Sequence, residues 1–287
     1  MSSSSCEEGC VDLDLTVFVP VSVLGTEHSL ELKTLAVWAV LRAVSIFRVR
    51  NLVVYRDPDA DPRDEEVFRA VGRYLLTPPY LRRMLVPLMA PLRAVGVAPP
   101  LAIPPHSVSR EARVGELRYG VVMRCPFAYI GVKRRCIVVD ECREGVHLFK
   151  VVSLNPLKCV LVDTPPKGFY KGPELLFVSS LVEGVGRFCR NRLVIVSSRR
   201  GAPLTLSTAS RLLRSRSLCV LLGSPTLDPD EIVGAEGKEL SEVLKSIEAE
   251  ELWLNTAPCQ GVRSIRTTEA VYITLSAVVN AACILYR

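Results

Sequence analysis

The sequence predicts an α/β protein with a mostly parallel sheet, interrupted by a small all-β domain. Three observations predict it. Apolar runs of strand length alternate with helically spaced apolar segments toward both ends of the chain. Helical periodicity disappears over some 65 residues in the middle. Proline clusters at Ala98-Pro99-Pro100, Ile103-Pro104-Pro105 and Pro165-Pro166 border that stretch.

Leu15 to Leu24 is a β-rich apolar run, Leu30 to Phe47 has apolar residues at helical spacing, and Asn51 to Tyr55 reads as a short buried strand. Asp57-Pro58 and Asp61-Pro62 mark a turn, and Asp64-Glu65-Glu66 put negative charge at the start of a helix ending near Leu76. Arg118 to Arg124, Ala128 to Val139, Val146 to Leu154 and Lys158 to Asp163 read as strands, for which an OB-like barrel is the expectation. The α/β pattern resumes near Glu174. It predicts a helix over Phe177 to Cys189, a strand over Leu193 to Ser197, a helix over Leu206 to Leu213 and a strand over Leu218 to Leu222. A helix over Leu240 to Ala249, a strand over Leu252 to Leu254 and a terminal helix from Thr267 to about Leu285 complete it. The expected domains are therefore 1–97 with 168–287, split by an insert over 98–167.

Charge is concentrated in the insert. The whole chain carries +6, and Ser107 to Lys171 alone holds 12 Lys and Arg against 6 Asp and Glu, also +6. A solvated basic face explains this as well as a phosphate-tracking one does; Phe127, Tyr129 and Phe169 add rings able to stack on bases. Ten cysteines include no C-x-x-C pair, and His28, His106 and His147 are scattered, so no metal is expected. Most cysteines sit in apolar runs as small hydrophobes. A single glutamine and five asparagines beside many arginines point to a thermophilic source, where some cysteines can pair. Met1 to Cys10 is Ser-rich and polar, without a secretory pattern. The apolar run Ala270 to Tyr286 is short of the roughly 20 residues of a bilayer span. A cytoplasmic protein with no membrane partner is the expectation.

Chemistry is expected beyond the carboxyl ends of the strands. Three loops lie there: Ser197 to Gly201, Gly223 to Thr226, and the long segment Asn255 to Glu269. In the third, Pro258 and Gly261 impose an irregular backbone whose amides and carbonyls suit an adenine edge. Thr267 can cap the last helix, with Glu269 in its positive first turn, where the ionised form is favoured. A plain helix start explains those two residues equally well. The chain has no G-x-G-x-x-G, G-x-x-x-x-G-K-[ST] or G-x-S-x-G pattern, which removes the common dinucleotide, P-loop and serine-hydrolase readings. Thr77-Pro78-Pro79-Tyr80 lacks the Asn or Asp of amino-methyltransferase motifs.

Asn255-Thr-x-Pro-x-Gln260-Gly261 followed by Ser264-Ile265-Arg266-Thr267 resembles the knot loop of the RNA (uridine-N3) methyltransferase family of the SPOUT class, in its archaeal and eukaryotic form. Thr77-Pro78-x-Tyr80-Leu81-Arg82-Arg83, Gly96-x-x-Pro99-Pro100-Leu101 and Pro105-His106 look like that family's central signature, and Ser198-x-Arg200-Gly201 like its first cofactor loop. The resemblance spans nearly the whole chain. Thr268 departs from it where an acidic residue is usual, and Ser224 where a second glycine is common.

The resemblance implies a C-terminal trefoil knot holding S-adenosyl-L-methionine, and a homodimer packed through the knot and the last helix. It places the cofactor against Ser197, Ser198, Arg200 and Gly201, against Leu222 and Gly223, and against Asn255, Pro258, Gln260, Gly261, Ile265 and Thr267. It makes Arg263, Arg266 and Glu269 the catalytic candidates, and Arg82, Arg83, Lys133, Arg134, Arg135 and Arg199 the RNA contacts. The implied reaction is methylation of N3 of a uridine in rRNA. Two alternatives stay open at this point: a non-catalytic RNA-binding dimer that retains the knot, or an enzyme acting on another base such as guanine N1 of tRNA.

Overall fold

The computed structural model describes residues 12–106 and 109–284; the Ser-rich opening with Cys6 and Cys10 lies outside them. Along the chain run β1 (Asp14–Pro20), α1 (Leu30–Ile46), β2 (Asn51–Tyr55), α2 (Pro62–Leu76) and α3 (Arg82–Leu85). Next come β3 (Leu117–Arg124), β4 (Phe127–Tyr129), β5 (Cys136–Val138), β6 (Gly145–Leu154) and β7 (Leu157–Leu161). Then follow β8 (Glu174–Val178), α4 (Leu181–Phe188), β9 (Leu193–Pro203), α5 (Leu206–Ser215) and β10 (Ser217–Leu222). The chain finishes with α6 (Pro229–Ala235), α7 (Leu240–Ser246), β11 (Glu250–Asn255) and α8 (Thr267–Ile284).

Two compact units emerge. The larger gathers the described residues up to 72, residues 90–99 and those from 172 onward; the smaller holds 73–89 and 100–171. Residues 73–89 thus group with the barrel strands rather than with the sheet.

The larger unit is built on a six-stranded sheet, order β11-β9-β10-β1-β2-β8, in which every neighbouring pair is parallel. Parallel sheets are covered on both faces, which is why β1 and β10 read as near-continuous apolar runs: Val17, Phe18, Val19, Val220 and Leu221 are fully buried. Phe18, Tyr55, Val196 and Leu221 pack with Leu181, Val185, Ile232 and Val233 of the helices. Helix starts follow side-chain chemistry: the Ser29 hydroxyl accepts from Leu32 N at 3.2 Å and Ser180 from Glu183 N at 3.1 Å. α8, long and apolar enough by composition to cross a membrane, packs against α1 and α5 and buries Val271, Leu275, Val278 and Ala282.

Several elements differ from the sequence reading. β1 ends at Pro20, where a 3-10 turn over Val21–Leu24 begins. The stretch expected to start a helix at Phe177 is the edge strand β8, and the helix waits for the Ser180 cap. α6 was not expected at all. The single strand expected over Ala128 to Val139 is two strands, β4 and β5, separated by Ile130 to Arg135, where Gly131 takes φ +84°.

The smaller unit contains a closed five-stranded barrel, order β3-β4-β5-β7-β6, with β5 and β7 parallel and the other pairs antiparallel. Val122, Ala128, Ile130, Phe149 and Val151 fill it. Arg118 is buried whole, and its guanidinium donates to the carbonyls of Ser109 and Glu111 and pairs with Glu116 at 2.9 Å. Cysteines treated as small hydrophobes are in fact bridged: Cys125–Cys142 and Cys136–Cys159 in the barrel, and Cys189–Cys219 in the larger unit. Their partners lie 17, 23 and 30 residues apart, so only the fold brings them together.

Candidate functional site

The carboxyl ends of β9, β10 and β11 surround a cleft of about 380 Å³, a size that suits a cofactor-sized molecule. The sheet builds it by forcing β9 away from β11. Trp253 pairs with Val196, but the next residue, Leu254, pairs with Ala202, so residues 197–201 arch out between them. These residues were expected as a loop after a strand; they are a bulge within the eleven-residue β9. Gly201 closes the arch. A Cβ there would lie 2.5 Å from the carbonyl carbon of Leu254 and 2.8 Å from Asn255 N, so no side chain passes. Gly223 is confined likewise, 2.4 Å from the Leu227 oxygen if a Cβ were added.

Of the residues predicted to hold a cofactor, Ser197, Ser198, Arg200, Leu222 and Gly223 line the cleft, as do Asn255, Gln260, Ile265 and Thr267. Gly201, Pro258 and Gly261 do not: Gly201 lies under the wall, and the other two are exposed. Asn255 Nδ2 donates to the Arg199 carbonyl and its Oδ1 accepts from Ala257 N at 3.1 Å, which ties the third segment to the bulge. Gln260 Nε2 donates to Val262 and Arg263 carbonyls. Thr267, expected as a helix cap, instead sends its hydroxyl to the Gly223 carbonyl at 3.1 Å. Three hydroxyls, Ser197, Thr274 and Thr256, meet in successive 3.0 Å contacts between β9, α8 and the segment after β11. Tyr55 donates to the Leu222 carbonyl at 2.6 Å, and burial pushes its phenol well above the ordinary range.

None of the catalytic candidates lines the cleft. Arg263 is exposed and offers its carbonyl to Arg199 Nη1 at 3.2 Å. Arg266 pairs with Glu27 at 3.0 Å, and Glu269 accepts from Arg266 N at 2.9 Å, the plain helix-start arrangement. The two arginines of the bulge divide their roles. Arg200 is tied to Asp228 at 3.1 Å and to Asp230, and the Asp230 bond foremost raises its pKa further. Arg199 lines the cleft without a carboxylate partner among the described residues.

Asp228 and Glu231 also line it, and the sequence reading missed both. The signal was present: Asp228-Pro229-Asp230-Glu231 has the acidic cap, first-turn proline and third-position glutamate of a helix start. Glu231 accepts from Asp228 N at 2.7 Å in that manner. Among the other expected RNA contacts, Arg82 is occupied by the Thr77 and Leu75 carbonyls and lies 4.4 Å over the Tyr74 ring. Arg83, Lys133, Arg134 and Arg135 are exposed, with Arg134 bonded to Asn155. Among the described residues, no three His, Cys, Asp or Glu gather as metal ligands.

Comparison with known proteins decides the family. Residues 14–278 match the family described as "Putative RNA methyltransferase". The chain belongs to that family. As a member, it is 30% identical over 283 residues to an uncharacterized protein of Haloarcula marismortui, covering 91% of this chain and 97% of the relative. It is 29% identical over 299 residues to the 28S rRNA (uridine-N(3))-methyltransferase of Homo sapiens, covering 92% of this chain and 77% of that one. Among solved structures, a Legionella pneumophila protein described as a "putative methyltransferase", in complex with bound SAM, superposes with TM-score 0.42 and 9% identity, over 94% of this chain and 67% of that chain.

Proposed function

We propose that this protein transfers a methyl group from S-adenosylmethionine to N3 of a uridine in ribosomal RNA. The observation that carries the reading is the cleft formed where the β9 bulge, the turn after β10 and the segment after β11 meet, in a chain whose family methylates RNA. The human relative's name supplies the uridine and the ribosomal RNA.

The residues present fit the cofactor. Leu222, Leu254, Ile265 and Ile273 give an apolar wall for a purine ring. The Asp228 and Glu231 carboxylates suit a ribose diol or an ammonium group. Gly201 and Gly223 leave backbone where side chains would fill the space. When bound, the cofactor supplies an activated methyl group on its sulfonium. The chain's own work is alignment and charge. Ser198 and Arg200, both held by Asp228, keep the bulge in one shape. Arg199 places a guanidinium at the rim, where a uracil that has lost its N3 proton carries negative charge. Because N3 lies on the pairing edge, the target uridine is unpaired or flipped out.

We extend the reading to a trefoil knot, supported by the bonds that link the segment after β11 and α8 to the ends of β9 and β10, the Ser197–Thr274–Thr256 contacts and the Thr267–Gly223 bond. The barrel's strand order, with its one parallel pair, supports an OB-type fold for the insert. A homodimer through α8 and a cytoplasmic site of action complete the proposal. Mass spectrometry of nucleosides from ribosomal RNA incubated with protein and cofactor tests it. Appearance of 3-methyluridine is expected; methylation of another base, or none with cofactor bound, overturns it.

A further inference from the structure

We infer that the barrel unit carries a preformed groove for an unpaired RNA segment, distinct from the methyl-transfer cleft. The groove, about 660 Å³, is lined by Met84, Val121, Met123, Phe127 and Tyr129, with Arg124 and Arg135 among its residues. The inference rests on the RNA methyltransferase reading and adds the form of RNA and the residues that take it.

The geometry comes from β3 and β4. Ala128 and Val122 point into the barrel, and their strand neighbours are turned outward. Phe127 and Met123 therefore stand on the outer surface, 45% and 74% exposed, although both are large and apolar. Tyr129 pairs across from Val121 and continues the same face. The opposite wall is fixed by Tyr80. Its ring lies against Gly131, where an added Cβ would sit 2.4 Å from it, and its hydroxyl donates to the Tyr119 carbonyl at 2.9 Å. That clamp holds the segment bearing Met84 across the barrel surface, so the groove does not have to form on binding.

Charge selects the occupant. Residues 73–89 and 100–171 contain 15 Lys and Arg against 6 Asp and Glu, a net +9 on this unit alone in a chain whose total is +6. Arg124 and Arg135 have no carboxylate partner among the described residues, and Lys133, two residues before Arg135 in the chain, is exposed. Exposed aromatic and thioether side chains bordered by unpaired guanidiniums suit a strand whose bases stack while its phosphates follow the cations. A duplex does not meet that requirement, because its bases are already stacked and its A-form major groove is too narrow for side chains. An apolar protein segment would leave the cations unmatched.

The test is fluorescence anisotropy of the full-length protein with a labelled ten-nucleotide oligouridine and with a labelled RNA duplex of the same length. Preferential binding of the unpaired strand is expected. Phe127→Ala should weaken it about tenfold, and Phe127→Trp should restore it. The Arg124→Ala/Arg135→Ala double variant should reduce the slope of log Kd against log salt by about 1.4, two single-strand phosphate contacts. Equal binding of duplex, no binding of either RNA, or unchanged affinity in Phe127→Ala overturns the inference. So does a change of oligomeric state in Phe127→Ala by sedimentation velocity, which would make the groove a contact between two copies. Calorimetric titration of the same samples with S-adenosylmethionine separates the two readings: lost cofactor binding strikes the methyltransferase proposal, whereas the groove stands or falls on the anisotropy.

Discussion

The Ser198 hydroxyl donates to the Asp228 carboxylate at 2.6 Å, and Arg200 reaches the same oxygen at 3.1 Å. One carboxylate at the start of α6 thereby holds two residues of the β9 bulge, the part of the strand that leaves its partner to open the cleft. Asp228→Ala removes both attachments. A lost hydrogen bond of this kind destabilises by about 1 kcal/mol. The expected result is a melting temperature lower by roughly 2–4 °C with S-adenosylmethionine affinity reduced about tenfold in calorimetry. Asp228→Asn, which keeps an acceptor oxygen, should fall between. Wild-type cofactor affinity in Asp228→Ala would show that the bulge is held by other means.

The glycines of the site are not equivalent. Gly201→Ala drives a methyl into the Leu254 and Asn255 backbone, whereas a Cβ at Gly261 meets nothing within 4 Å. The obstacle is strand backbone, with no flexible group to yield, so Gly201→Ala should cost about 2 kcal/mol or more and abolish cofactor binding. Gly261→Ala should stay within about 0.5 kcal/mol of the parent. Denaturant titration of the pair checks both, and similar midpoints would contradict the packing argument.

Arginine roles can be separated by kinetics. Arg199 lines the cleft with no carboxylate partner among the described residues; Arg266 is engaged with Glu27, its side chain 65% exposed. Arg199→Ala should lower the rate of methyl transfer about 100-fold with little change in cofactor affinity. Arg266→Ala should change stability by less than about 1 kcal/mol, as exposed pairs do. The reverse ranking in single-turnover assays would return the catalytic charge to Arg266.

His106 makes stability depend on pH. Burial holds its imidazole below the usual range; the Nε2 bond to the Leu76 carbonyl at 3.1 Å works against that, and Arg82 adds to it. With a depressed folded value, the unfolded chain binds the proton first, so stability is lost as pH falls below about 6.5. Thermal melts from pH 7 to pH 5 should show this decline, and His106→Gln should flatten it. Glu65 contributes in a different window. Burial would raise its carboxyl, yet bonds from Arg56 and Arg69 hold it low, so its contribution is lost only below about pH 4.5.

The bridges that join pairs of described residues should respond to reductant. Loops of 17, 23 and 30 residues are closed by Cys125–Cys142, Cys136–Cys159 and Cys189–Cys219. Closing loops of this length stabilises by roughly 3 kcal/mol each in the chain-entropy view. Melting with and without a phosphine reductant should differ by several degrees. An unchanged melt, with these six cysteines shown by alkylation to be free thiols, would show that packing alone suffices.

Much of the fold was legible because burial leaves a periodic trace. The bounds of β2 and the extents of α1 and β10 follow from apolar spacing within one or two residues, and the barrel strands from turn residues around short runs. Phe177 and Val178 at the end of β8 were misread as helix because the four apolar residues Leu175 to Val178, running into the next helix, carry no period of their own. α6 was missed because it is only seven residues long, though its capping sequence announced it.

The sequence by itself determined the alternation of strand and helix, the three segments that would supply the cleft, and the family that its motifs resemble. Tertiary structure alone decided which of the two cleft-lining arginines is neutralised, since Asp228 and Asp230 lie about thirty residues from Arg200. It also decided which cysteines meet, and that Phe127 and Met123 stand beside unpaired guanidiniums. The physical reason is that periodicity records which face of an element is buried, whereas charge pairing and groove formation depend on which distant elements share that face.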